Sequence, residues 1–159
     1  MILALSTAAA PRVQLGPLAW PTGFGENVTV TGGTGARRAL PDLDPFRCPG
    51  EFVFVTMPRV PDRWEPVATV CEQEGITVVV DRGLADRYGV AYDFVAAMIT
   101  LRVRSSLRAV GLTATVAASL ADAGISCNVV AGHFHDHLFV PTDRAEEALG
   151  LLGRICWTP

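Results

Sequence analysis

All three histidines stand within five residues, His133-Phe134-His135-Asp136-His137. On one extended strand their imidazoles would project from the same face about 7 Å apart, as metal ligands can. Gly132 and Asp136 favour instead a turn that splays the rings, with His and Asp side chains bonding the backbone. No bound metal is expected. A second group is Arg104-Ser105-Ser106-Leu107-Arg108-Ala109-Val110-Gly111-Leu112, running into a segment with helical spacing. A helix N-terminus presents free backbone N–H groups and the positive end of the helix dipole, so it favours a carboxylate. Gly111 lets a ligand approach the backbone, and Ser105 and Ser106 add hydroxyls. Asn128, on the next expected strand, offers both donor and acceptor groups. Carboxylate and ammonium recognition together describe an α-amino acid, although a Ser-Ser pair before a helix also reads as a simple cap.

Two further patterns point to chemistry that the rest of the chain does not support. The histidine segment is similar to the H-x-H-x-D-H motif of metallo-β-lactamase-type hydrolases, but it is one residue short and no other histidine exists to complete a site. Thr31-Gly32-Gly33-Thr34-Gly35, after Val28-Thr29-Val30, resembles the opening of a nicotinamide-cofactor loop. Arg38 stands where that fingerprint wants Gly or Ala, and Pro41 stops any helix, so a glycine-rich linker is expected and no cofactor. No Ser-His-Asp order, paired-carboxylate motif or phosphate loop indicates another enzyme class.

The elements that must carry these residues are read from Cys48 onward. Phe52-Val53-Phe54-Val55 and Ile76-Thr77-Val78-Val79-Val80 read as strands. Trp64 to Glu74 is compatible with a helix ended by Gly75, and Asp81 to Tyr88 with a helical turn. That makes the first half β-α-β. In the second half Ile99, Leu101 and Val103 alternate with Thr100, Arg102 and Arg104, which predicts a strand with one wet face. Leu112, Val116 and Leu120 mark a helix that Gly124 stops. Cys127 to Val130 reads as a strand, Gly132 to Asp136 as a turn, and Leu138 to Val140 as the hairpin partner. Asp143 and Glu146 have capping-box spacing for a last helix through Leu152. The order β-α-β-β-α is an α+β pattern, with helices layered on one face of an antiparallel sheet.

With 159 residues, half of them hydrophobic, the chain can bury a sizeable core. No apolar stretch reaches the ~18–20 residues of a membrane span, so no membrane partner is expected. A net charge of −3 leaves no basic stripe for nucleic acid. All 13 basic residues are arginine, and with abundant Ala, Gly and Pro this suggests a GC-rich bacterial genome. The four cysteines (Cys48, Cys71, Cys127, Cys156) form no C-x-x-C pair and read as reduced, mostly buried thiols in a cytoplasmic protein. The first residues faintly resemble a secretion signal but lack its basic start and length. Residues 1–46, rich in Gly and Pro, keep no period and read as a disordered extension, or as upstream sequence translated from a start codon placed too early.

Several motifs in order then carry a family resemblance. Ile99-Thr100-Leu101, Ser105-Ser106-Leu107, Ala109 to Ala114, Gly124-Ile125, Cys127 to Gly132 and His135 to Pro141 closely resemble bacterial stand-alone tandem ACT-domain proteins. Gly50 to Val55 and Glu74 to Thr77 match upstream. The resemblance implies ferredoxin-like ACT modules in tandem, an abbreviated one over residues 47–95 and a second over 96–157. It implies a non-catalytic amino-acid-binding regulatory protein that acts as a homodimer. An ACT ligand would lie along Ser105, Ser106, Leu107, Val110, Gly111, Leu112 and Thr113 and the strand Asn128, Val129 and Val130. A ligand-free dimerisation or docking module is the alternative, and a metal-dependent hydrolase built on the histidine segment stands third. The family more often has an aromatic residue at the place of His133, and often His at the strand position just before Arg104.

Overall fold

The computed structural model describes residues 43–157 apart from 104 and 106. The elements run β1 (Pro45–Arg47), β2 (Phe52–Met57), β3 (Ala68–Cys71), β4 (Ile76–Asp81), α1 (Arg82–Tyr88), β5 (Val95–Leu101), α2 (Leu112–Asp122), β6 (Asn128–Ala131), β7 (Asp136–Pro141), a 3₁₀ turn (Thr142–Arg144) and α3 (Ala145–Leu152). They build one antiparallel sheet of order β3-β4-β2-β5-β7-β6, with β1 also on β5.

The register on β5 explains how two modules fit in so short a chain. Its first residues pair with β2, Val95 opposite Val53 and Ala96 opposite Phe52. Its last residues pair with β1, Ile99 opposite Arg47 and Leu101 opposite Pro45. The ladder continues past β1, where the Arg102 and Val103 amides donate to the Asp44 and Leu43 carbonyls at 3.1 and 3.3 Å. Thus β5 closes the first four-stranded unit, β3-β4-β2-β5, and opens the second, β6-β7-β5-β1. The second unit takes its outer strand from residues that precede the first unit in sequence. Residues 43–47 therefore belong to the fold, against the reading that ends the leader at 46; Leu43 is fully buried. Residues 1–42, including the Thr31–Gly35 segment, lie outside the described residues.

Strand alternation sorts the core into two faces. On the helix face, Val53, Val55, Val78 and Val80 pack with Leu84 and Ala85 of α1. Further along that face Ala97, Ile99, Leu101, Leu138 and Val140 pack with Leu112, Val116 and Leu120 of α2 and Ala145, Ala148 and Leu152 of α3. The opposite face gathers Phe52, Val79, Ala96, Met98 and Phe139. There Phe139 meets Phe52 and Phe54 edge-on, with centroids 6.1 and 5.3 Å apart.

Three local expectations give way. Trp64 to Glu74 contains no helix: soon after Pro66 the chain enters β3, where Thr69 and Val70 are β-branched and the free edge of β4 accepts the strand. Gly75 sits at φ +148°, and a Cβ there would stand 3.0 Å from the Met57 carbonyl oxygen, so it marks a hairpin turn, not a helix end. Strand β5 has no wet face, because Thr100 is fully buried on the aromatic side. The capping box does not form either. No side chain caps α3, and Glu146 reaches across to Arg47 at 2.5 Å, tying β1 to α3.

Leu43 tests the interlocked arrangement. Leu43→Ala is expected to lower unfolding free energy by about 2–5 kcal/mol, read from the urea midpoint. A change within a few tenths of a kcal/mol would mean that this strand is not part of the second unit's core.

Candidate functional site

The sequence-predicted loop leaves β5 at Leu101 and enters α2 through Gly111. Arg102, the first loop residue, pairs with Asp44 at 2.5 Å and lies over the Phe46 ring at 5.3 Å, so the loop's base is pinned to the β1 segment. Gly111 is the N-cap of α2 at φ +98°, a conformation that disfavours any residue with a Cβ. The first helical bond runs from the Thr115 amide to the Gly111 carbonyl at 2.9 Å. The N-cap glycine has no side chain to cap this helix, and no acidic residue lies in its first turn. The amides of Leu112, Thr113 and Ala114 thus project at an exposed helix end with the positive pole of the dipole behind them.

The predicted ligand residues divide around this point. Ser105 is half-buried in the loop and Thr113 is exposed on the first turn. Leu107 and Val110 are 69% and 88% exposed. The Leu112 side chain is buried in the core under α2, which leaves only its backbone for a ligand. Ser106 lies outside the described residues. Asn128 is exposed, and Val129 and Val130 half-buried, on β6. That strand is separated from β5 by β7, so it lies roughly 10 Å away across the sheet. Leu101 stands opposite Asp136, and Asp136 opposite Ala131. The residues level with the loop are therefore those of the β6–β7 turn, while Asn128 lies three residues further down. The fold groups Ser105–Thr113 with that turn and sets Asn128–Val130 apart.

The turn itself holds the histidines. Its closing bond runs from the Gly132 amide to the His135 carbonyl at 3.0 Å. A Cβ on Gly132 would come within 2.6 Å of that same oxygen, so glycine is required. His133 and the exposed Phe134 meet edge-on at 4.7 Å. The Gly132–His135 backbone bond closes the hairpin. His137 turns to the aromatic face, where its Nδ1 lies 2.9 Å from Thr100 Oγ1. Thr100 Oγ1 in turn lies 3.3 Å from Cys48 Sγ. This chain of polar groups ties the segment after β1 to β5 and β7 inside an otherwise apolar layer. Burial lowers the His137 pKa, with His135 adding to the effect and Asp136 opposing it. Burial also raises Asp136, countered by His137 and His135. The Cys48 thiol is pushed up by burial, with its hydrogen bond to the Thr100 hydroxyl opposing, so it stays protonated and is a poor nucleophile.

Among the described residues no group of three or more His, Cys, Asp or Glu is placed to hold a metal ion. The cysteines are all free, but only Cys48 is buried; Cys71 and Cys156 are exposed and Cys127 is half-buried, its thiol pushed up to about 11 by burial. No helix among the described residues is long and apolar enough to cross a membrane. The Cys48–Thr100–His137 chain escaped sequence reasoning because its members come from three segments joined only by strand pairing.

Sequence profiles of the ACT domain match residues 37–97 and 94–154. Their overlap falls at the start of β5, the strand the two units share. A Vibrio cholerae protein of unknown function, described as a possible transport protein, is similar at 41% identity over 75% of this chain and 93% of its own, with a TM-score of 0.68. An Agrobacterium tumefaciens protein is similar in fold at 20% identity, over 65% of this chain and 81% of its own, TM-score 0.53. So is the regulatory subunit of aspartate kinase from Thermus thermophilus, at 9% identity over 72% and 97%, TM-score 0.53. No curated protein matches the chain.

The buried imidazole sets a pH dependence. A histidine whose folded pKa is depressed takes up protons on unfolding, so its contribution is complete above about pH 6.5 and is lost as pH falls toward the folded value. The urea midpoint is expected to drop between pH 7.5 and 5.5, and His137→Gln should flatten that dependence. An equal slope in the two proteins would place the titration elsewhere.

Proposed function

The chain belongs to the ACT-domain family, and from that premise we propose that this regulatory protein binds a free amino acid and catalyses no reaction. The observation that carries the reading is the uncapped N-terminus of α2 at Gly111, an eleven-residue helix whose first amides face outward beside an exposed loop. In the proposed binding mode the Leu112–Ala114 amides and the Ser105 and Ser106 hydroxyls hold the carboxylate. The ammonium goes to outward carbonyls of Asn128–Val130. Because β6 lies roughly 10 Å from the loop within one chain, those carbonyls come from a second copy, which makes the protein a homodimer. With no lysine in the chain, any charged ligand contact comes from Arg, Asp, Glu, His or backbone. Four free cysteines fit a cytoplasmic setting.

A second reading rests on a specific observation. Leu107, Val110 and Phe134 are 69%, 88% and 57% exposed, and the strand register sets the loop and the β6–β7 turn that carry them at the same end of the second unit. Apolar side chains gathered at one end also suit a ligand-free docking or dimerisation surface.

Calorimetric titration and thermal melts with each of the twenty amino acids separate the two. Binding at a hundredfold excess over Kd is expected to stabilise the protein by about 2.7 kcal/mol and raise its Tm. A dimer whose Tm ignores all twenty at millimolar concentration would favour the docking reading and end the amino-acid one.

A further inference from the structure

The two units close their helix faces by different means. In the second unit α2 joins β5 to β6, and Leu112, Val116 and Leu120 seat it on the sheet. The matching place in the first unit, between β2 and β3, holds residues 58–67, which form no helix. Pro58, Pro61 and Pro66 account for that, since none has an amide to donate and each restricts the residue before it. Within residues 58–66 Trp64 alone is buried, at 6% exposed. It packs in the core with Val53, Val55, Val78 and Val80 of the sheet and Leu84 and Ala85 of α1. The Tyr88 ring tilts against it, with centroids 5.6 Å apart. One indole thus covers a floor for which the second unit uses a helix.

The bonds of the segment and the state of the indole bear on how firmly that cover is held. The Trp64 amide donates to the Pro61 carbonyl at 2.9 Å, inside the segment. Arg59 pairs with Asp62 at 2.9 Å, again inside it, and both side chains are largely exposed. The Val67 amide donates to the Val79 carbonyl at 2.8 Å, where the chain rejoins the ladder. The indole Nε1 is buried and has no hydrogen-bond partner among the described residues. A donor in that position loses water on closure and gains no acceptor, so apolar contact holds the ring down against a polar penalty.

We infer that residues 58–66 are a strap that opens as a unit while the sheet stays folded, with Trp64 as its latch. Opening lifts one ring from the floor, breaks no strand pairing and returns the indole N–H to water. It bares part of the surface formed by Val53, Val55, Val78 and Val80. The first unit therefore uncovers at intervals an apolar seat that α2 keeps filled in the second. The inference goes beyond amino-acid binding and does not depend on it.

The test is hydrogen exchange in the ¹⁵N-labelled full chain, read at the Trp64 indole and amide and at the most protected amides of β2 and β4. In water and in low urea the two Trp64 protons are expected to be protected, yet at least about a hundredfold less than the strand amides. Their exchange should depend little on urea, because the opening exposes little surface. Equal protection and an equal urea slope at Trp64 and in β4 would mean that the ring leaves only when the whole domain unfolds, which overturns the strap. An indole with no protection at all would overturn the latch. A second protein carries 3-benzothienylalanine in place of Trp64, which keeps the ring's shape and puts sulfur where the N–H was. Removing the unpartnered donor should cut opening about tenfold, read at the amide of residue 64. Opening that is unchanged or increased would overturn Trp64 as a latch held against a polar penalty.

Discussion

Strand β5 serves two units of one sheet at once, and the architecture follows from that double use. Its first residues bond β2 on one edge, its last residues bond β1 on the same edge, and β7 takes the whole of the other. A strand so enclosed must be apolar on both faces, as Val95 to Leu101 nearly is. Neither unit is closed without it. The first lacks a fourth strand unless β5 begins where it does, and the second lacks one unless Leu43–Arg47 returns beside β5. Two units that share a strand and exchange chain ends behave as one cooperative body, so damage to β1 at the N-terminal side is felt in the core under α2 and α3.

Enclosure also decides the fate of the one polar residue in β5. Thr100 cannot reach water, so its hydroxyl is satisfied by His137 and faces Cys48. The histidine segment is thereby divided by its own geometry: His137 is recruited inward to serve a buried hydroxyl, while Gly132 and His135 close a tight backbone turn and His133 stays outside against Phe134. What looks in the sequence like a set of convergent ligands is, in the fold, a residue of the inner layer and a surface turn.

The site follows from the same constraint. Where β5 runs out at Leu101 the chain must cross to the helix layer, and it does so through a loop anchored by Arg102 on Asp44 and ended by Gly111. The helix that begins there is held to the sheet by Leu112, Val116 and Leu120, so its exposed amides are fixed in place by core packing and not by a cap. That leaves an end that is positively polarised and opened by a glycine, with Trp157 in the core beside it.

Much of this was legible in the residues. The strands at Phe52 and Ile76, the amphipathic helix from Leu112, the β6–β7 hairpin and the Gly111 helix start each rest on local spacing or on a glycine that only one backbone conformation explains. The misreadings share a cause. Trp64–Glu74 has a composition that suits helix or strand, and the open edge of β4 chose strand. Thr100 looks outward by alternation, yet a second apolar layer covers that face. Leu43–Arg47 has no periodicity of its own and gains structure only by pairing with β5. The sequence by itself therefore determined most of the element types, the ACT modules and the start of α2 after Gly111. Only the tertiary structure decided which strand the units share, that Asn128 stands away from the loop, and that Trp157 stands beside Gly111, because each depends on pairing between segments far apart in the chain, where no local pattern reaches.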